Sequence, residues 1–210
     1  MTPLQIAPGV WALTRPATPH ADPHPADRAA ADGMADWRAR EFLAGRAALR
    51  HLLAEVAPDA AELPVVRGHH GRPLLAGRPD LGISVSHDAG QTAAAVAFGR
   101  AVGVDVQRPP ERLDPRMVRR CVRAGHATLA ALPPAEQGVE FAWIWTAQEA
   151  CVKAEGTGLS GAPWRVDVRP RQTRGTWKGF TWRALRDHGD HGDHTALSAI
   201  PVSCAWEVSR

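Results

Sequence analysis

Three short stretches carry the residues that could do chemistry. In Phe141–Gly158, FAWIWTAQEACVKAEGTG, the side chains Trp145, Glu149 and Lys153 are spaced four apart, which on a helix stacks them on one face. A solvated Glu–Lys pair at this spacing adds only about 0.2–0.5 kcal/mol, but a tryptophan on the same stripe argues that the face is at least partly covered. In Val102–Gln107, VGVDVQ, Asp105 and Gln107 lie two apart on a predicted strand and so share one face, opposite Val104 and Val106. A carboxylate buried there would need a cation, a donor or a metal; the other reading is a solvated acid at a strand end. In Leu81–Asp88, LGISVSHD, preceded by Gly71-Arg72-Pro73, Ser86 and His87 close a strand and open a turn. His87 could donate to an anion or simply bond within the turn.

The elements that must position these groups are legible from period and punctuation. Apolar residues at helical spacing predict a helix over Ala35–Val56, with Arg46 and Arg50 one turn apart on it. Gly9–Leu13 reads as a strand, and the Pro-, His- and Asp-rich Arg15–Arg28 as a loop. Val65–Leu75, with GHHGRP, reads as a turn between short extended pieces. Leu81–Val85 and Thr92–Phe98 predict strands joined at Asp88-Ala89-Gly90, followed by a strand at Val102–Val106. Asp114-Pro115 has the form of a helix cap and first residue. A long helix spans about Glu136–Ala154, stopped by Gly156 and Gly158, with Phe141, Ile144 and Val152 as plain core. Thr181–Leu185 and Cys204–Val208 are further β-like runs. The order predicts an α+β fold in two halves, 1–98 and 99–210, without a visible sequence repeat.

The bulk numbers bound the class. A chain of 210 residues, 44% hydrophobic and 22% charged, can bury a real core. Net charge is +3 and the pI about 9.1, which admits an anionic partner without choosing one. Three widely spaced cysteines, Cys121, Cys151 and Cys204, with no CxxC pair, argue against a disulfide framework or a zinc site. There is no apolar signal core after Met1, no membrane-length apolar run and no nucleic-acid-binding motif. The expectation is a cytoplasmic protein with no membrane and no nucleic-acid partner.

Taken in order, GRP, a strand ending in SVSH, GVDV, and WTxxEAxxKAxGxGL resemble the phosphopantetheinyl transferase superfamily over about Arg40–Val168. The likeness is closer to its long, single-chain surfactin-synthetase-activator type, and the Trp145 and Glu149-Ala150 pairing is similar to the subgroup with a W…KEA signature. The resemblance implies two similar α+β halves related by a pseudo-twofold, with coenzyme A in the cleft between them. It implies transfer of the 4′-phosphopantetheine arm to a serine of an acyl or peptidyl carrier protein, by a monomer, with release of 3′,5′-ADP. The carrier could serve fatty-acid, polyketide or nonribosomal-peptide synthesis. The implied catalytic residues are Asp105, Glu149 and Lys153; the magnesium ligands are Asp105, Gln107 and Glu149. Coenzyme A would be held by Arg46, Arg72, Ser86, His87 and Lys153. Either Glu149 or a metal-bound water would take the serine proton.

Three positions depart from the family pattern. Gln107 stands where a third acid is common, Gln148 where lysine is usual, and His126 near the place of a glutamate. An amide oxygen can still ligate magnesium but carries no net charge. Gln107 and His126 motivate an alternative: a relative that binds coenzyme A or a carrier protein with weakened or lost transfer. Arg116, Arg119, Arg120 and Arg123 fall on one helical stripe, either a docking face for an acidic carrier protein or a solvated surface. The tract 187–194, DHGDHGDH, has metal-ligand residue types, but its repeated glycines favour a hairpin tip.

Overall fold

The computed structural model describes residues 2–18, 22–186 and 200–208. The first half runs β1 (Leu4–Ala7), β2 (Val10–Pro16), α1 (Pro25–Ala31), α2 (Asp36–Val56), β3 (Val65–Arg67), β4 (Pro73–Leu75), β5 (Leu81–Asp88) and β6 (Gln91–Phe98). The second runs β7 (Val102–Val106), α3 (Pro115–Val122), α4 (His126–Ala130), α5 (Pro134–Glu155), β8 (Arg174–Trp177), β9 (Phe180–Ala184) and β10 (Val202–Glu207). This is the expected α+β class.

Each half supplies a four-stranded antiparallel sheet, ordered β1-β2-β6-β5 in the first and β7-β10-β9-β8 in the second. The apolar patterning of the strands decides the layers. In β6, QTAAAVAF, Ala94 and Val96 pack with Leu49, Leu52 and Leu53 of α2, whereas Ala93, Ala95 and Ala97 pack with Val102, Val104 and Val106 of β7 and Cys204 of β10. A strand covered on both faces reads as a continuous apolar run, as this one does. On the far side of the second sheet, Phe141, Ile144, Ala147 and Cys151 of α5 pack with Trp182 and Ala205. The succession is therefore α2, first sheet, second sheet, α5. Cys121, Cys151 and Cys204 are all buried free thiols.

β5 and β7 are edge strands of different sheets, and an edge exposes unpaired backbone groups. Here a seam of side chains closes it. Ser84 Oγ accepts the N–H of Val104 at 3.0 Å, Ser86 Oγ that of Val106 at 3.4 Å, and Asp88 Oδ2 that of Arg108 at 2.5 Å. Every rung joins a residue to the one twenty further along the chain. Gly82 continues the same series, because a Cβ there would stand 2.2 Å from the carbonyl oxygen of Arg100.

Two expectations needed correction. The segment read as a loop contains α1: His24 Nδ1 accepts the N–H of Ala26, Pro25 opens the helix, and buried Asp27 bonds Arg50 Nε at 2.5 Å. That long-range ion pair is invisible to local composition. β1 was also not anticipated; it is a short edge strand completing the first sheet. The 65–75 segment, punctuated by Gly68, Gly71 and Pro73, does form two short strands, β3 and β4, around a tight turn, and α5 ends at Gly156 with φ of +81°.

Gly103 of β7 lies under α5, and a Cβ there would sit 2.1 Å from the carbonyl oxygen of Ala150 and 2.4 Å from the nitrogen of Ala154. Both obstacles are backbone, so they cannot rotate away. Gly103→Ala is expected to destabilise the protein by roughly 1–3 kcal/mol, as overpacking does, measured by denaturant unfolding.

Candidate active site at the seam

The site begins with the alternation of β7. Its valines face the first sheet, so Gly103 and Asp105 face α5, and Asp105 is only 5% exposed. The solvated reading of this acid is thereby removed. Its Oδ1 accepts from Lys153 Nζ at 2.6 Å and from Ser86 Oγ at 2.8 Å; Lys153 Nζ also donates to Ser86 Oγ at 2.9 Å and to the Val104 carbonyl at 3.3 Å. Three elements thus converge on one triad: β5 brings Ser86, β7 Asp105, α5 Lys153.

Glu149 lies one turn before Lys153 on α5 and is 8% exposed. Its Oε1 is buried without a hydrogen-bond partner. Burial first, and then repulsion from Asp105, push its carboxyl up to about 7 against the pull of Lys153. The helix therefore does not spend Lys153 on Glu149 as a surface pair; Lys153 reaches the neighbouring strand instead. An orphaned carboxylate oxygen beside a second carboxylate is a donor set that suits a hard divalent cation, so these residues fit magnesium. Among the described residues, no group of three or more His, Cys, Asp or Glu side chains stands together as a metal site. The third oxygen donor on offer is the amide of Gln107, whose Nε2 donates to Asp88 Oδ2 at 3.0 Å.

Lys153 also lines a cavity of about 220 Å³ between the halves, with Arg72, Ser84 and Gly156 on its wall. Burial lowers the pKa of Arg72, whose Nε is buried and unpartnered. Two cations facing one cavity form a receptor for an anion. The other nucleotide-binding candidates lie apart from this group. His87 is on the opposite face of β5 from Ser86, exposed, with Nδ1 3.6 Å from Glu41 Oε2. Arg46 stands 3.7 Å from Asp27, packs over the Phe42 ring and lines a separate 410 Å³ cavity between α1 and α2.

Comparison with known proteins supplies the family. Residues 101–199 match the model of the 4′-phosphopantetheinyl transferase superfamily, and residues 26–97 match that of the 4′-phosphopantetheinyl transferase N-terminal domain. The chain belongs to the 4′-phosphopantetheinyl transferase superfamily. It is 31% identical over 132 residues to 4′-phosphopantetheinyl transferase AcpT of Escherichia coli (strain K12), covering 61% of this chain and 62% of that one. AcpT of Escherichia coli O157:H7 matches to the same extent. 4′-Phosphopantetheinyl transferase HetI of Nostoc sp. is 28% identical over 127 residues, covering 58% of this chain and 54% of its own length. The matched stretch thus spans less than two thirds of these relatives.

Within this phosphopantetheinyl transferase fold, the departures find distinct places. Gln148 is fully buried and its Nε2 bonds the carbonyls of Cys121 and Val166 at 2.8 and 2.9 Å. It ties α5 to α3 and to the segment after it, a structural task that its neighbour Glu149 in the motif conceals. His126 is exposed at the start of α4. The arginines of the basic stripe are all exposed, but Arg120 stacks on the Trp164 ring at 3.4 Å and Arg123 sits in the turn that ends α3. Arg116 and Arg119 remain as its outward charges. The DHGDHGDH tract lies outside the described residues. Sequence reasoning missed Ser84 and Asp88, although the alternation Gly82, Ser84, Ser86, Asp88 was the available signal.

Glu149 supplies a pH test. Its folded pKa is raised, so its contribution to stability is complete below about 4.5 and is lost as pH rises to about 7. Glu149→Gln removes that loss. With a chelator present, the variant is expected to gain stability relative to the wild type as pH climbs through this window, by at most about 3 kcal/mol, and to hold the gain above it. Thermal unfolding from pH 4 to pH 8 measures this.

Proposed function

We propose that this protein transfers the 4′-phosphopantetheine arm of coenzyme A to a serine of an acyl or peptidyl carrier protein, releasing 3′,5′-ADP. The observation that carries the reading is the Ser86–Asp105–Lys153 triad beside unpartnered Glu149, at the edge of a cavity walled by two cations. The names of the relatives point the same way. The finer reading is a cytoplasmic monomer of the surfactin-synthetase-activator type. Its halves, 1–98 and 99–210, are related by a pseudo-twofold, and coenzyme A lies in the cleft where β5 meets β7.

In this reading the diphosphate of coenzyme A lies against Lys153 and Arg72. The carrier serine oxygen attacks the β-phosphorus bearing the pantetheine; a P–O bond forms to serine, and the P–O bond to the nucleotide breaks. Glu149 accepts the serine proton directly or through water, the rival acceptor being a water that the metal would hold. Lys153 balances charge on the transferred phosphoryl group. Asp105, Glu149 and Gln107 would hold magnesium, which would supply electrostatic stabilisation of the diphosphate. The nucleotide roles of Ser86, His87 and Arg46 follow family likeness; of the three, Ser86 is the one in contact with Lys153. An acidic carrier would meet the charges of Arg116 and Arg119. The specific observation for the alternative, a binding relative with weakened transfer, is an amide at 107 where the family's acid would stand.

Incubation of apo carrier protein, coenzyme A and magnesium with the protein is expected to add one phosphopantetheine arm to the carrier, read by intact-protein mass spectrometry. Binding of both partners without that gain would select the alternative. Asp105→Ala and Lys153→Ala are each expected to slow transfer by about 100-fold or more. Reversing charge at Arg116 and Arg119 should raise the carrier KM and leave coenzyme A binding unchanged; an unaltered KM removes the docking face.

A further inference from the structure

The rungs of the β5–β7 seam repeat a pattern. Ser86 accepts the N–H of Val106 and, with the same oxygen, bonds the side chain of Asp105, the residue before it. Asp88, two residues on, accepts the N–H of Arg108 and, with the same oxygen, bonds the side chain of Gln107, again the residue before. Asp88 is to Gln107 as Ser86 is to Asp105. The carboxylate that β7 lacks at position 107 is thus present beside it, carried on the neighbouring half.

The chemistry of this contact sets which end of the amide points away. An ionised carboxylate only accepts hydrogen bonds, so it must face the NH₂ of Gln107 and not its oxygen. The second donor of Nε2 lies 3.4 Å from the carbonyl of Arg108. Both hydrogens are therefore engaged, and Oε1 is the end left over on the strand face that Asp105 also occupies. A glutamine without such a clamp must give up rotamer freedom to turn its oxygen to a cation, since only the oxygen can ligate it. We propose that Asp88 is a positioning residue that clamps Gln107 with its carbonyl oxygen toward the metal, and that its charge, conveyed through the polarised amide, replaces the missing third acid. The inference rests on the metal-dependent reading above.

Binding of Mn²⁺ to the full-length protein with coenzyme A, followed by the electron paramagnetic resonance signal of free Mn²⁺, tests it without any turnover. Asp88→Asn removes the charge, and because a single oxygen of Asp88 takes both bonds, one atom of the asparagine must meet both groups: its neutral oxygen clamps Gln107 more weakly, or its NH₂ group loses both bonds. It is expected to weaken Mn²⁺ binding about tenfold, in the range found when partners of metal ligands are removed. The double variant Asp88→Asn/Gln107→Glu, which places the acid directly on β7, should return to within about threefold of wild type. A merely structural loss at Asp88 would not be rescued in this way. Unchanged Mn²⁺ affinity in Asp88→Asn, or a double variant as weak as the single, overturns the inference while leaving the transferase reading standing. A wild type that binds no Mn²⁺ with coenzyme A present overturns both. Should Asp88→Asn fail to fold, Gln107→Ala, which keeps the Asp88–Arg108 bond, carries the same expectation of weakened binding.

Discussion

The molecule turns on how two sheet edges meet. β5 and β7 could each have continued its own sheet or paired with the other through a backbone ladder. Instead hydroxyl and carboxylate groups on β5 take the N–H groups of β7 at alternate residues. A ladder would place the strands about 4.8 Å apart with every backbone group consumed. A side-chain seam satisfies the same donors while the sheets stack face to face across the Ala93, Ala95, Val104 and Cys204 layer. It also leaves each bridging oxygen a second lone pair. Asp88 uses that lone pair to accept from Gln107, and Ser86 to accept from Lys153 while its hydroxyl hydrogen goes to Asp105, so the contact that joins the halves also orients the side chains of the candidate site.

This arrangement answers the cost of burying charge. A lysine and an aspartate taken from water need more than each other to offset desolvation. Asp105 has the Ser86 hydroxyl as well, and Lys153 has a hydroxyl and a carbonyl. The close approach that permits this comes from Gly103, where the backbone of α5 touches β7. Stability of the interface and geometry of the site are therefore properties of the same few residues, and loosening one loosens the other.

Much of this was legible in the sequence, for reasons that can be named. The long helices showed themselves through apolar period, and α5 through its glycine stop, because those signals are local. Type and spacing marked Asp105, Glu149 and Lys153 but left a solvated reading open for each; the order of the motifs, through the family resemblance, singled them out. What could not be read was long-range. Whether Lys153 would answer Glu149 or Asp105 depends on the strand that lies beneath the helix. The helix over Pro25–Ala31 depends on Asp27 finding Arg50. Gln148 looks like part of a catalytic motif, yet it holds two carbonyls from segments far along the chain. His87 and Ser86 are neighbours in sequence, but strand alternation sends them to opposite faces, so a motif that names both does not place both in one site.

The two carboxylates of the site are chemically alike and energetically opposite. Asp105 has a cation and a hydroxyl on one oxygen, whereas Glu149 has a buried oxygen with nothing on it and a like charge nearby. Burial and the like charge push the Glu149 carboxyl up to about 7, while Asp105 is held by a cation and a hydroxyl. Strand and helix could have been assembled so that Lys153 served Glu149, and the roles would then have been exchanged. That they are not exchanged follows from β7 lying directly under α5, with its acid two residues past the glycine that lets the helix so close. Which acid takes the lysine is thus a consequence of packing before it is a matter of chemistry.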